Sequence, residues 1–488
     1  MRKIVAILIC LIVYCIGKAQ LYDAQWAIGY NESILDFRNS DTVKVDTLPT
    51  LDGFLFTNSC ICDENGDLIY YTNGINICNP NHILTNSYGL SNCGYTRDDS
   101  IDGLNIAQAA IFIPKPGNTR YYYLFHLCND VPNDPRPRTI YYSLIDKEVG
   151  NGGALIEKNV PILQVQKLRE GGMTACKHAN GRDYWIIMGG SNNNEFYKFL
   201  LTPDGIQGPF IQNIGPVFPT PYDVAYSRFS LDGSKFLTGI YVGAPILVMD
   251  FDRCSGEFRN PTTIFNTATN NPNDSTISGI GSADFSPSGR FVYATNSQIL
   301  NQYDLLSSNV SVPIQLYQSD TDDEYEMRLM QAALNGKIYI STFNGGLKAY
   351  HVINYPDLKG DSANFVYGGQ PTFSIATINV PNLINYKLGP LIGSGCDTIT
   401  GVKEPSASNQ MLRILPNPAN KFLYVEMAMQ GNYEFELVDI NGQLIDKRET
   451  PQVDYFDTEH LAAGNYFLRV LNKATGNEVG TKKVIVVH

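Results

Sequence analysis

The most regular feature of the chain is a tight, glycine-containing turn followed by alternating aromatic and β-branched residues. Six segments carry this pattern, and their turn glycines are Gly66, Gly117, Gly181, Gly233, Gly289 and Gly336. Successive glycines are 51, 64, 52, 56 and 47 residues apart. A period near 50 with several short strands per unit is typical of a β-propeller. The pattern therefore predicts an all-β fold, a β-propeller followed by a smaller C-terminal domain.

Strand patterns also lie outside the six copies. Gln25–Tyr30 and Val43–Val45 precede the first copy, and Thr372–Thr377 follows the last. Pairing strands from the two ends would close the ring and remove exposed sheet edges. We therefore expect seven blades within residues 20–392, with six as the alternative. The Gly- and Ser-containing segment 393–410 is the expected linker to the last domain.

Residues 411–488 contain four separate motifs in a fixed order. These are Leu415-Pro416-Asn417-Pro418, Asp439-Ile440-Asn441-Gly442, His460 to Val470, and the basic-then-apolar end Lys482 to Val487. The segment resembles the type A C-terminal sorting domain of the bacterial type IX secretion system. This resemblance implies an antiparallel β-sandwich, recognition by the secretion machinery, and delivery to the cell surface or medium of a bacterium of the Bacteroidetes type.

The N-terminus is consistent with export. Arg2 and Lys3 precede the apolar run Ile4–Ile16, and small residues follow it. This is the pattern of a signal peptide over residues 1–19, with cleavage between Ala19 and Gln20. The run is shorter than the roughly 20 residues that span a bilayer, so we expect no transmembrane segment.

Motifs spread over the predicted ring also resemble exported propeller proteins of Bacteroidetes that carry the same tail. The resemblance supports the fold and the destination and implies no activity. The motifs are Cys62-Asp63, Gly66 to Gly74, Lys177 to Trp185, Phe251 to Cys254 and Leu388-Gly389-Pro390.

The charge balance narrows the range of partners. The chain has 36 Lys and Arg against 48 Asp and Glu, a net charge of −12. An acidic chain without a basic block argues against nucleic acid as a partner.

Eight cysteines remain after signal cleavage, and an even number in an exported protein favours disulfides. They are Cys60, Cys62, Cys78, Cys93, Cys128, Cys176, Cys254 and Cys396. Eight cysteines allow about 105 connectivities, so the sequence does not fix the pairing. We expect Cys78–Cys93, which would tether a loop, and Cys176–Cys254, which would link neighbouring blades.

The densest polar cluster is Lys177, His178, Arg182 and Asp183. These residue types can bind an anion or exchange protons. Because Asn180-Gly181 is a hairpin turn, we favour a structural role, in which His178 pairs with a buried backbone group between blades. Two acidic segments, 98–103 and 320–324, contain carboxylates that could hold Ca²⁺. Neither has EF-hand spacing, and we expect solvated loops and no required cofactor.

The sequence contains no Walker loop, nucleophile elbow or His-Glu-x-x-His motif. We therefore expect a non-catalytic module that binds an extracellular glycan or protein. The alternative is a propeller hydrolase or lyase, acting on polysaccharide or lactone through a carboxylate or Ca²⁺ site in the central channel. The expected contact surface comprises two predicted loops, with Asp98, Asp99, Asp102, Asn129, Asp130, Asp134 and Arg136.

Overall fold

The computed structural model describes most of the chain in two compact units, Met1–Asp397 and Thr398–His488. The described residues are 21–29, 33–39, 42–47, 53–54, 56–81, 84, 87, 89–90, 103–128, 136–217, 224–240, 245–264, 281–295, 298–319, 326–343, 346–373, 375, 379–397, 412–415, 417, 419–427, 432–440, 442–450, 454–473 and 478–486.

Within the described residues, the first unit contains seven sheets, each a meander of consecutive antiparallel strands. In chain order the sheets are β1–β3 (Gln25–Ile28, Ser33–Asp36, Lys44–Thr47), β4–β6 (Ser59–Cys62, Leu68–Thr72, Ile77–Cys78), β7–β10 (Ala110–Pro114, Tyr121–Cys128, Thr139–Asp146, Ala154–Gln164), β12–β15 (Thr174–Lys177, Tyr184–Gly189, Glu195–Thr202, Gly205–Asn213), β16–β19 (Val224–Phe229, Lys235–Ile240, Ile246–Asp252, Glu257–Ile264), β20–β23 (Ala283–Phe285, Phe291–Thr295, Ile299–Asp304, Ile314–Gln318) and β24–β27 (Glu326–Ala332, Ile338–Phe343, Ala349–Ile353, Phe365–Pro371). The short strand β11 (Glu170–Gly171) runs parallel to β16, and Gly360–Ala363 forms a 3-10 turn.

The six repeat glycines occupy equivalent positions. Each lies in the turn between the first and second strand of one of the last six sheets, with φ between +69° and +91°. This left-handed region is open to glycine and strained for most other residues. The first sheet, β1–β3, lacks the motif, which is why six copies correspond to seven blades. The predicted propeller is confirmed.

The first strands of successive blades lie side by side around the ring, for example β1 with β4 and β16 with β20. The ring closes where Trp26 and Phe37 of the first blade pack on Tyr339 of the seventh, with ring centroids 5.7 and 5.2 Å apart. Pairing of strands from the two chain ends was expected here, and that expectation is wrong for the described residues. The last strand ends at Pro371, and residues 372, 373 and 375 are not in a strand, because the chain continues to the middle of the ring.

Residues 379–390, the central segment, connect the first strands of several blades. The side-chain amide of Asn382 donates to the carbonyl oxygens of Ala110 on β7 (3.0 Å) and Met173 before β12 (2.9 Å). Its oxygen accepts from Gln108 (3.0 Å) and from Arg228 on β16 (3.4 Å). Asn382 is 1% exposed. The segment therefore fills the channel and replaces water as the partner of these inward-facing groups.

Other residues of the central segment extend the same pattern. The Tyr386 hydroxyl donates to the Phe112 carbonyl at 2.7 Å. The Asn379 amide donates to the Phe54 carbonyl at 2.5 Å, and Tyr350 on β26 donates to the Asn379 carbonyl at 3.1 Å. Because polar groups from several blades meet partners here, the segment holds the centre of the ring together.

The second unit is a small antiparallel sandwich. One sheet contains β28, β29 and β32 (Leu412–Leu415, Phe422–Met427, Asp454–Asp457), and the other has the order β31-β30-β33-β34 (Leu444–Thr450, Tyr433–Val438, Gly464–Asn472, Glu478–Val486). Leu423 and Val425 of the first sheet share a buried core with Phe435, Leu468 and Val484 of the second. The sandwich predicted for this part of the chain is confirmed.

The last strand, β34, belongs to the C-terminal motif and also helps to hold the sandwich together. β34 pairs with β33, and the Asn417 side chain bonds the backbone of both Lys483 and Ile485, each at 2.8 Å. Deleting residues 482–488 should therefore disrupt the sandwich, leave the propeller folded, and retain the protein in the periplasm. Surface labelling and cell fractionation test this expectation. Undiminished surface export of the truncated chain would contradict it.

Both predicted disulfides are wrong. Cys254 forms a disulfide with Cys396, and the two Cα atoms are 5.6 Å apart. Cys78 and Cys176 remain buried thiols. Cys93 lies outside the described residues. The reason is local. Arg253 donates to the carbonyl oxygen of Gly389 at 2.7 Å, which places the end of the first unit beside Cys254. Cys176 instead packs in an apolar cluster with Trp185 and Phe236.

Candidate functional site

The polar cluster around the Gly181 turn is engaged in contacts between blades. His178 accepts from the Asn180 backbone at 3.1 Å through Nδ1, so Nε2 carries the proton and donates to the Cys254 carbonyl at 3.0 Å. Arg182 pairs with Asp183 at 2.7 Å. The carbonyl oxygens of Lys177 and His178 both accept from Arg253. These contacts support the structural interpretation of the cluster.

Lys177 differs from an ordinary surface lysine. Burial, with the charge of Arg253, lowers the pKa of its amino group to about 8. The amino nitrogen lies 5.6 Å from the centre of the Tyr184 ring, a cation–π distance. A lysine held over a ring within its own blade stabilises the hairpin.

One group of possible metal ligands is present among the described residues: His178, Cys254 and Cys396. The two cysteines form a disulfide, so neither offers the thiolate that binds a metal. The site is therefore a covalent link between the turn after β18 and the end of the first unit.

The contact surface expected from the sequence is largely untested. Asp98, Asp99, Asp102, Asn129, Asp130 and Asp134 lie outside the described residues, as do segment 320–324 and the signal cleavage site at Ala19 and Gln20. Arg136 is described and half-buried, in the segment that leads into β9. The structure brings together a different set of residues.

That set surrounds a recess of about 350 Å³ at one mouth of the channel. The first strands of blades four to seven (β12, β16, β20, β24) form its wall, together with the turns that follow β16, β20 and β24. Asp23 completes the lining with five residues of the central segment: Leu383, Ile384, Asn385, Lys387 and Leu388. Three of the repeat turns, at Gly233, Gly289 and Gly336, therefore lie around the recess.

Arg228 and Asp284 form the charged part of the wall. Their side chains are 6% and 5% exposed, and Arg228 Nε lies 3.8 Å from Asp284 Oδ2. The Asp284 carboxylate accepts from the backbone of Phe285 (2.8 Å) and Ala332 (2.9 Å). Burial raises the pKa of Asp284 to about 6, although the charge of Arg228 opposes the rise. The two side chains therefore have fixed positions, and each offsets the charge of the other.

Three polar atoms on the wall have no protein hydrogen-bond partner: Arg228 Nε, Gln331 Oε1 and Asp23 Oδ1. Gln331 is 8% exposed. Burial raises the pKa of Asp23 to about 7, and the charge of Lys387 partly offsets the effect. Buried polar atoms without partners are uncommon in folded proteins. All three atoms are shielded from solvent, so they lie behind the surface that the recess presents.

Sequence reasoning missed this site because its polar residues come from distant parts of the chain. Arg228 and Asp284 do, however, occupy matching places in the two best repeat copies, Arg228-Phe229-Ser230 and Asp284-Phe285-Ser286. A charged residue of opposite sign at the same inward position of adjacent blades was the available signal.

One family of known proteins matches the second unit. Residues 413–487 match the family described as the secretion system C-terminal sorting domain. The chain is an exported propeller protein sorted by the type IX system. Delivery to the cell surface or the medium follows from this match. None of the described residues forms a helix long and apolar enough to cross a membrane.

Structural neighbours of this exported propeller are remote. A functionally unknown protein from Desulfotomaculum acetoxidans is 13% identical over 74% of this chain and 99% of its own, with a TM-score of 0.40. A periplasmic gluconolactonase from Pseudomonas aeruginosa is 13% identical over 74% and 97%, with a TM-score of 0.41. A search of curated proteins finds no match. These likenesses carry no argument about activity.

The buried carboxyls predict a pH dependence of stability. Asp23 and Asp284 have pKa values raised to about 7 and 6, against about 3.9 in an unfolded chain. Between pH 4 and 7 the folded state therefore holds protons that the unfolded state has lost, so this contribution to stability falls as pH rises. Asp23→Asn should reduce the decline between pH 5 and 8 by about 3 kcal/mol, because the contribution of Asp23 falls over about two pH units and each unit is worth about 1.4 kcal/mol.

Urea unfolding of the purified protein at pH 5, 6, 7 and 8 measures this effect. Asp361→Asn, a change at an exposed position, serves as the control and should leave the profile as in the parent. Identical profiles for Asp23→Asn and the parent would contradict the prediction.

Proposed function

We propose that this protein is a non-catalytic recognition module that acts outside the cell and takes its ligand at the recess. One observation carries the proposal: strands and turns of four blades, together with the central segment, line one recess. A ligand meets a surface built from these fixed elements. Rigid elements that present connecting turns are a common basis of recognition.

The state of the charged groups supports binding over catalysis. Both oxygens of Asp284 accept backbone hydrogen bonds, and Arg228 donates to the Met330 carbonyl at 3.0 Å as well as to Asn382. Because protein donors occupy both of its oxygens, Asp284 is poorly placed to exchange a proton with a ligand. Their arrangement suits orientation of a ligand by fixed dipoles.

A hydrolase remains the second candidate, and a specific observation favours it. Asp23 and Asp284 line one recess, and burial raises both pKa values towards neutrality. Perturbed carboxyls in a cleft are a recurring feature of active sites. Asp23 would then be the acid, because one of its oxygens has no protein partner.

A paired assay separates the two functions. The mature chain is screened on polysaccharide, lactone and ester substrates with and without Ca²⁺, and in parallel on a glycan array. We expect binding without turnover. Turnover that is lost in Asp23→Asn or Asp284→Asn, and kept in the exposed control Asp361→Asn, would overturn the proposal in favour of the hydrolase.

A further inference from the structure

We infer that the Cys254–Cys396 disulfide is a latch for the central segment. It transmits a force applied to the second unit directly to blade five, so that the force does not draw residues 379–390 out of the ring. This mechanical role is separate from ligand binding at the recess. It depends on the order of the elements along the chain, on the contacts of the central segment and on the covalent bond itself.

The disulfide lies between the central segment and the second unit along the chain. The last strand of the ring, β27, ends at Pro371, and the central segment follows it. Cys396 is next to Asp397, where the first unit ends. The second unit contains the match to a secretion sorting domain. A secretion machinery that holds this unit therefore exerts its force on the chain after Asp397, and the force reaches Cys396 before it reaches the central segment.

Without the disulfide, noncovalent contacts alone would hold the C-terminal end of the central segment. The Leu391 backbone N–H donates to the Ala179 carbonyl at 2.7 Å, and Arg253 donates to the Gly389 carbonyl, also at 2.7 Å. A force from the C-terminal side loads the contact of Leu391 first and the contact of Gly389 next. A single hydrogen bond contributes little net stability, so bonds that break one after another resist a force weakly.

The contacts deeper in the ring would follow in the same order. The Tyr386 hydroxyl donates to the Phe112 carbonyl at 2.7 Å, and the Asn382 side chain donates to the carbonyls of Ala110 and Met173. Once Tyr386 and Asn382 are displaced, the buried carbonyls that they pair with lose their donors. Withdrawal of the segment from its C-terminal end would therefore leave the centre of the ring unfilled.

The disulfide changes the path of the force. Cys254 lies in the turn between β18 and β19 of blade five, and its backbone N–H donates to the Asp252 carboxylate at 2.9 Å. From Cys396 the force passes through the S–S bond into this turn. Residues 379–395 then form a loop between the last blade and the disulfide, and this loop bears no tension.

Blade five is well packed on both sides of this turn. Its strands β16 to β19 form a continuous antiparallel meander. Phe251 on β18 and Phe258 on β19 pack with their ring centroids 5.1 Å apart, and both belong to a buried cluster with Phe236 and Trp185. To withdraw the central segment, a force on the second unit would have to break a covalent bond or unfold blade five.

Single-molecule stretching tests the latch. One handle is attached at position 306, in the turn after β22 where Leu306 is 76% exposed, and the other at the C-terminus. The parent is compared with Cys254→Ser/Cys396→Ser and with the exposed control Asp361→Asn. We expect the double variant alone to show an additional extension of up to about 6 nm, at about 3.5 Å per residue for residues 379–395. This extension should occur at a lower force than unfolding of the ring.

Reduction of the folded parent gives the same comparison if the double variant does not fold. Dithiothreitol supplies two electrons and two protons to the S–S bond and becomes a cyclic disulfide. Alkylation followed by mass spectrometry verifies that Cys254 and Cys396 are then thiols. The reduced parent should show the additional extension, and the oxidised parent should not. Absence of the extension after the bond is removed, or its presence while the bond is intact, would overturn the inference.

Discussion

Replacing Asn382 with leucine should lower the free energy of unfolding of the propeller by about 3 to 5 kcal/mol. The change leaves two buried carbonyls, of Ala110 and Met173, without donors, and Gln108 and Arg228 lose an acceptor. Each buried group left unpaired costs about 1 to 3 kcal/mol, partly relieved by rearrangement. Since domains are stable by about 5 to 15 kcal/mol, this is a large fraction of the total.

Chemical unfolding followed by tryptophan fluorescence measures the loss. Trp26 and Trp185 both lie buried within the ring, so the signal reports the propeller. Asn385→Leu provides the matched control, because Asn385 is only partly buried. Its side chain donates to the Leu231 carbonyl and accepts from the Lys387 backbone, and both bonds lie at the surface. A cost below about 1 kcal/mol for Asn382→Leu would mean that the central segment is not what holds the ring together.

The sequence predicts the blades of the propeller better than it predicts how the ring closes. The blades were predictable because each depends on a local signal, a glycine such as Gly233 or Gly289 that adopts positive φ between two strands. The seventh blade was inferred from strand patterns at the ends, although the ring closes through Trp26 and Tyr339 and not through shared strands. Local turn chemistry determines blades, whereas closure depends on packing between residues far apart in sequence.

The central segment and the recess were not predictable from local patterns. Asn382 bonds groups contributed by residues 108–228, and nothing in its immediate neighbours indicates those partners. The available signal was indirect. After the last turn motif, two apolar residues separate the asparagines in Asn379-Val380-Pro381-Asn382-Leu383, a spacing too irregular for a strand. Such a segment needs partners for its backbone, and the first strands of a ring supply them.

The disulfide error has the same origin. Cys176 and Cys254 do lie on neighbouring blades, as expected, but Cys176 faces an apolar cluster. Cys254 meets Cys396 because Arg253 binds the Gly389 carbonyl as the chain leaves the ring. The position of the end of the propeller, which the sequence did not reveal, therefore decided the pairing.

Replacing Arg228 with methionine should cost about 3 to 5 kcal/mol at pH 8, because it leaves the buried Asp284 carboxylate without its cation. The cost should be smaller at pH 5. Burial already raises the pKa of Asp284 to about 6, and losing Arg228 raises it further, so at pH 5 the carboxyl is protonated in the folded state. A protonated acid does not need the guanidinium, and the penalty shrinks accordingly.

Two further variants make the origin of this cost explicit. Adding Asp284→Asn to Arg228→Met should recover at least about 1 kcal/mol at pH 8, because the double variant contains no buried charge at this position. Arg290→Met breaks a pair with Asp304 in which the arginine is 44% exposed, and such surface pairs contribute about 1 kcal/mol or less. If Arg228→Met cost no more than Arg290→Met, or the same at pH 5 as at pH 8, the charge on Asp284 would not be the cause. The cost would then reflect lost packing around the central segment.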